Sequence, residues 1–275
     1  MWLRKTHRVL PGFGLSLTYT ITVLTVLLVL PLVACLFKAA ELTPAQFLKA
    51  VWTKQAQSAY LLSFGASFVA ALVNVAIGLL LAWVLVRYDF WGRRLLDSLI
   101  DLPFALPTAV AGLVFSSLLY KNGWYGRYLV PLGIQGAYSR LGIVIVLVFV
   151  GLPFVVRTVQ PVLESLEGDT EEAAAMLGAN RWQTIWRVLL PALQPSLMTG
   201  FALSFARGLG EYGSVIFISG NIKGVTEIAP FLIVKRLEAF EYAEATSIAL
   251  VLMAMSLVTL VVINWLERRS RRYAS

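Results

Sequence analysis

Arg207 and Glu211 stand four residues apart in an otherwise uncharged run, Phe205-Ala206-Arg207-Gly208-Leu209-Gly210-Glu211-Tyr212-Gly213. An ionisable side chain at the centre of a bilayer costs on the order of 2.5–3.5 kcal/mol on insertion scales, so it pairs or meets water. On a helix, a spacing of four sets both residues on one face, within reach of each other. Two readings fit. One is a self-neutralising ion pair that holds the helix in place. The other is a pore-lining pair in which Arg207 attracts an anion and Glu211 keeps it from being trapped, because conduction needs binding weak enough to release. Ser204 and Ser214 flank the pair and join it as candidate residues of an anion pathway or gate. Gly208, Gly210 and Gly213 permit the close helix contact expected at such a gate.

A second constellation lies upstream, in the connection 161–195. Glu172-Ala173-Ala174 is followed by Gly178-Ala179 and then by Val188, Leu190 and Pro191, and the whole reads as helix, turn, helix. Asp169, Glu171 and Glu172 sit where a helix begins and its dipole favours negative charge. The alanines let another surface approach closely, and Gly178 supplies a positive-φ or tightly packed helix end. Asn180 is placed to cap the next helix, whose Trp182, Ile185, Trp186 and Leu189 recur at i, i+3, i+4 and i+7. Such a helix either lies on the membrane with its tryptophans at headgroup depth or docks on another protein.

Other chemistries are poorly served. The one histidine, His7, and the one cysteine, Cys35, exclude an intrachain disulfide and leave too few ligands for a metal site. No nucleophile–base pair suggests an enzyme, and no phosphate loop of the G-x-x-x-x-G-K-[ST] type is present, so no cofactor is expected and ATP would have to be bound by another chain. A carrier driven by an ion gradient would need a relay of intramembrane carboxylates. Glu211 is the one acidic residue deep in an apolar stretch.

The elements that must position these residues are long and apolar. The chain is 59% hydrophobic and 14% charged, against about a quarter charged in soluble domains. Six stretches approach the roughly 20 residues that cross a bilayer: 15–37, 61–86, 99–119, 141–160, 197–219 and 246–266. They predict an all-α integral membrane protein of six transmembrane helices, a single domain over 1–275. Pro103, Pro107 and Pro153 predict kinks or breaks in the third and fourth spans, tolerable where they line a cavity. The net charge of +8 sits in short loops, which points to membrane orientation and away from nucleic acid. Arg4, Lys5 and Arg8, Arg87 with Arg93 and Arg94, Arg157 with Arg181 and Arg187, and Arg268, Arg269, Arg271 and Arg272 outnumber the basic residues of the other face. Both termini are therefore expected in the cytoplasm. Leu32-Val33-Ala34-Cys35 matches a lipoprotein cleavage site, but its apolar run is long for a signal segment, so an uncleaved span is expected. On the other face, Asn122-Gly123-Trp124-Tyr125-Gly126 and the stretch 222–242 suit either interfacial anchoring or docking of a soluble partner. The run Phe231-Leu232-Ile233-Val234 within it is too short to span.

The loop resembles a known signature. E-A-A, three residues, G, nine residues, then I or V, one residue and L-P marks the permease subunits of bacterial ABC importers, and Glu172, Ala173, Ala174, Gly178, Val188, Leu190 and Pro191 fill every position. The resemblance implies a type I permease architecture whose cytoplasmic loop docks as a coupling helix on a separate ATPase. R-x-L-G-E-[FY]-G followed by Gly220-Asn221 further resembles permeases for tetrahedral oxyanions. Arg8-Val9-Leu10-Pro11-Gly12, the stretch from Asp101-Leu102-Pro103 to Ala111-Gly112, and Pro153-Phe154-Val155-Val156-Arg157 are similar to the T-type subunits of sulfate/thiosulfate importers. That likeness covers nearly the whole chain. It implies a second homologous permease, two ATP-binding subunits, a periplasmic sulfate/thiosulfate-binding protein and a bacterial inner membrane. Molybdate or tungstate is the alternative cargo.

Overall fold

The computed structural model describes residues 12–166 and 169–274, and the expected basic residues Arg4, Lys5 and Arg8, with His7, lie outside them. Among the described residues there are helices and turns but no strand. In chain order, α1 (Phe13–Ala39) leads through α2 (Pro44–Val51) to α3 (Lys54–Arg87). Short helices α4 (Arg93–Ile100), α5 (Leu102–Ala105), α6 (Thr108–Leu119) and α7 (Gly126–Leu129) precede the long α8 (Arg140–Ser165). There follow α9 (Asp169–Met176), α10 (Arg181–Leu209), α11 (Val215–Ile218), α12 (Ala229–Glu238) and α13 (Tyr242–Ala274). By length and composition, α1, α3, α8, α10 and α13 can each cross a bilayer. Polar caps set their starts: the Thr53 hydroxyl accepts from the Ala56 N–H at 3.0 Å, and the Ser139 hydroxyl from the Gly142 N–H at 3.1 Å.

The third expected span is divided. Pro107 has no N–H to continue a helix and drives Leu106 into extended backbone with ψ 134°. The segment is therefore built from α4, α5 and α6, of which α6 is the apolar piece. Pro153, by contrast, lies inside an unbroken α8.

The fifth span is displaced. The expectation was 197–219, but the helix runs from Arg181 to Leu209 and ends at Gly210. The second limb of the loop and the span are thus one helix. Its backbone widens to a π-turn over Ile185–Leu189, directly ahead of Leu190-Pro191. The same arrangement occurs in α1, where Thr25–Val29 is a π-turn ahead of Leu30-Pro31. A proline ring collides with the carbonyl four residues back, and a wider turn relieves the collision without ending the helix.

The body of the molecule is the three-way packing of α3, α8 and α10. Along α3 most buried positions are small, among them Ala59, Ser63, Ala66, Ser67, Ala70, Asn74, Gly78 and Ala82, with Tyr60 and Leu85 the large exceptions near its two ends. Small residues let backbones approach, which replaces the hydrophobic drive missing inside lipid. A Cβ on Gly78 would stand 2.7 Å from Val155 Cγ1. Two of the apolar clusters lie along α3 and α8. One gathers Ala66, Ala70, Ile143, Val146 and Ile218, the other Ala82, Leu85, Ile100, Val155, Val159 and Leu163. Outside this body, α13 packs on α10 and α12, and α1 packs along α13 with none of its apolar window buried. Such an exposed greasy surface suits hydrocarbon.

Candidate functional site

Arg207 occupies the last turn of α10, and Glu211 lies just beyond the helix end. The two are paired through Arg207 Nη1 and Glu211 Oε2. They do not share a helical face as the spacing suggested, because the helix has ended and the carboxylate folds back on the turn. The other carboxylate oxygen of Glu211 accepts from the Ser214 N–H at 2.9 Å and the Ser214 hydroxyl at 2.8 Å. Glu211 is 2% exposed and Ser214 wholly buried, whereas the Arg207 side chain is 33% exposed. A buried carboxylate with both oxygens engaged therefore holds a guanidinium that can still be approached from outside.

The two broken spans meet here. A Cβ on Gly112, in α6, would stand 2.2 Å from the Ser214 carbonyl oxygen, and one on Gly213 would stand 2.3 Å from Thr108 Oγ1. The glycines are what allow α6 and the turn at 211–214 to touch.

Ser204 is placed differently from Ser214. Its hydroxyl accepts from Asn74 Nδ2 at 2.9 Å, across α10 and α3, and both residues are buried. A Cβ on Gly151 would intrude on both groups, at 2.4 Å from the hydroxyl and 2.5 Å from the amide nitrogen. This bond lies between the two apolar clusters and forms a thin polar layer. Asn74 was overlooked in the sequence, although an amide inside an apolar stretch is a visible signal.

Arg157 was noted there only for its charge and its place in a motif. From α8 it donates to Asp101 through Nε at 2.9 Å and Nη2 at 2.6 Å, and to Asp97 Oδ1 and Gln160 Oε1 through Nη1 at 2.6 and 2.8 Å. Its Nη2 also donates to the Asp97 carbonyl at 3.0 Å. The planar fork of arginine is made for such a clasp. It ties α4 and the start of α5 to α8.

The loop keeps the helix, turn and helix that its sequence predicts, with the second limb running on into the span. Glu172 and Ala173 are exposed on α9 while Ala174 turns inward. Gly178 has φ +82° with nothing within 4 Å of an added Cβ, so its backbone conformation, not crowding, calls for glycine. The Gly178 N–H donates to the Ala175 carbonyl at 2.9 Å and the Ala179 N–H to the Ala174 carbonyl at 3.0 Å, closing the helix end. Asn180 caps α10 reciprocally with Gln183, each bond at 2.9 Å. Leu189 is buried, Val188 and Leu190 are half-buried and Pro191 is exposed. Met176, Leu177, Trp182 and Trp186 are between 64% and 89% exposed. An ion pair of 2.8 Å between Arg87 and Glu171 anchors this apolar knob to the end of α3.

Helices made to cross a bilayer, a body packed through small residues and a projecting loop define a multi-span integral membrane protein. A family model described as the inner membrane component of binding-protein-dependent transport systems matches residues 74–272, and the chain belongs to that family. Relatives include the sulfate transport system permease protein CysT of Escherichia coli (strain K12), 48% identical over 272 residues, with 99% of this chain and 98% of that protein covered. The protein of the same name from Synechocystis sp. is 48% identical over 264 residues, covering 95% of this chain and 92% of its own. The fold matches a crystal structure of a bacterial ABC transporter involved in import of the acidic polysaccharide alginate, with TM-score 0.76, 18% identity and 93% and 94% of the two chains covered. A structure of an alginate transporter in complex with an oligosaccharide-bound periplasmic protein gives the same TM-score at 20% identity.

Proposed function

We propose that this chain forms half of the pore of an ABC importer that carries sulfate and thiosulfate across the inner membrane. Its similarity to sulfate permeases, 48% identity over nearly the full length of both chains, carries this reading. A second, homologous permease completes the pore, two ATP-binding subunits dock below, and a periplasmic binding protein delivers the anion. Both termini face the cytoplasm on this reading, as does the loop. Glu172, Ala173, Ala174, Gly178, Ala179, Val188, Leu190 and Pro191 shape the ATPase contact, with the exposed Met176, Leu177, Trp182 and Trp186 as the surface that a partner would cover. ATP is bound by the partner and this chain carries no cofactor. Arg207, half-open and held by the buried Glu211, is the anion-facing group. Ser214 sustains Glu211, and Ser204 acts one turn below through Asn74.

The test is uptake of labelled sulfate by vesicles containing the whole complex, with ATP inside. Inhibition by excess thiosulfate but not by molybdate is expected. Equal inhibition by molybdate would move the cargo to the wider oxyanion class, and uptake without ATP would remove the importer reading. Replacing both members of the pair, Arg207→Gln with Glu211→Gln, is expected to leave an assembled complex with uptake reduced about tenfold or more, the scale of a lost charge-assisted hydrogen bond.

A further inference from the structure

The segment between α3 and α6 carries a surface that the transport reading leaves unused. Trp91, Leu95 and Leu99 follow one another at intervals of four and are 98%, 63% and 50% exposed. Leu102 and Phe104 continue the exposed apolar series into the divided third span. Beside this stripe opens a cleft of about 730 Å3, lined among others by Phe90, Trp91, Arg93, Arg94, Asp89 and Asp97. Its two carboxylates are already matched, Asp89 with Arg93 at 2.5 Å and Asp97 with Arg157 at 2.6 Å. Arg94 is exposed and has no ion-pair partner among the described residues. The cleft thus offers one uncommitted cation next to an indole and an aliphatic strip. The Arg87–Glu171 pair puts it at the same end of the molecule as the projecting loop.

We propose that this cleft binds the phosphate of an anionic phospholipid, with Trp91, Leu95 and Leu99 seated among the acyl chains. A short helix such as α4, with Arg93 and Arg94 on one face, Leu95 and Leu99 on another and Trp91 just ahead of its first turn, lies in the membrane interface. Each arginine near an anionic surface contributes about 1 kcal/mol, roughly fivefold in affinity. A free oxyanion has no use for the apolar stripe. A soluble subunit fits it less well than lipid does, because the stripe runs on into the part of the chain that enters the bilayer. The inference rests on membrane placement alone and not on the identity of the cargo.

Native mass spectrometry of the assembled complex, purified from mixed phosphatidylcholine and phosphatidylglycerol vesicles, counts the retained lipid. The wild-type complex is expected to retain phosphatidylglycerol in preference to phosphatidylcholine. Arg94→Gln should lower that retention about fivefold, Trp91→Ala should lower it too, and Arg94→Lys should preserve it. Because both side chains are exposed, neither change threatens folding. Unchanged retention in Arg94→Gln and Trp91→Ala would overturn the proposal. So would displacement of the lipid by inorganic sulfate, which would make the cleft a soluble-anion site. Loss of ATPase co-purification in Trp91→Ala with lipid retention intact would reassign the stripe to a protein contact, and would equally overturn it.

Discussion

The chain turns between helices at 177–180 and at 210–214, and the two turns are finished in opposite ways. In the inner one, both oxygens of Glu211 are engaged, Ser214 is buried, and α6 closes over the turn through Gly112. In the outer one the backbone is closed just as neatly, by Gly178 and the Asn180–Gln183 cap, yet four large apolar side chains around it stand in the open. A turn inside an apolar body must satisfy its own polar groups, since no water will do it. A turn meant for another subunit can leave its surface unfinished. The first is complete within this chain. The second is completed, on the proposed reading, by the ATPase.

That contrast can be broken at its strongest point first. Arg207→Ala strands a carboxylate that is 2% exposed, so the fold should lose about 3–5 kcal/mol. Thermal unfolding of the purified complex reads this, and adding Glu211→Gln should restore most of the loss. A single variant as stable as wild type would show that the inner turn does not depend on its own pairing. Gly112→Ala comes next: a Cβ 2.2 Å from a backbone oxygen forces α6 off the turn, at about 1–3 kcal/mol. Faster hydrogen exchange of the Ser214 amide should accompany it.

The outer turn should respond more mildly. Gly178→Ala meets no crowding, so only the left-handed conformation is penalised, by about 1–2 kcal/mol, and α9 should fray without loss of the membrane body. Limited proteolysis near 178 would detect it. Trp186→Ala should change stability by less than about 0.5 kcal/mol, as exposed positions do, yet reduce co-purification of the ATPase. A stability loss of the Arg207→Ala scale at Trp186 would erase the distinction between the turns.

Much of this was legible in the chain. The loop signature, the positive φ of Gly178 and the Asn180 cap depend on neighbours within a few residues, and local spacing reports such contacts well. The pairing of Arg207 with Glu211 was legible too, though the break at Gly210 was not, because Gly208, Gly210 and Gly213 suit a close helix contact as well as a helix end. The displaced fifth span has a related cause. The loop as read from the sequence ends at 195, whereas the helix runs through both Pro191 and Pro195, with a widened turn ahead of the first. What stayed hidden joins distant segments: Arg157 with Asp97 and Asp101, Asn74 with Ser204, and Glu227, fully buried between Gln55 and Lys235 at 2.6 and 3.0 Å. Glu227 lay in a stretch read as an outer loop. Only the packing of α12 on α3 and α13 encloses it.

The π-turns ahead of Pro31 and Pro191 have a mechanical corollary. Each inserts a spare residue into the spiral, so the coil there is wider than above or below. In α10 this compliant ring stands between Trp182, at the free tip, and Leu193, embedded among the helices. A push on the tip can be absorbed as a swivel at that ring, which makes it a universal joint on a shaft that would otherwise transmit every tilt to Arg207.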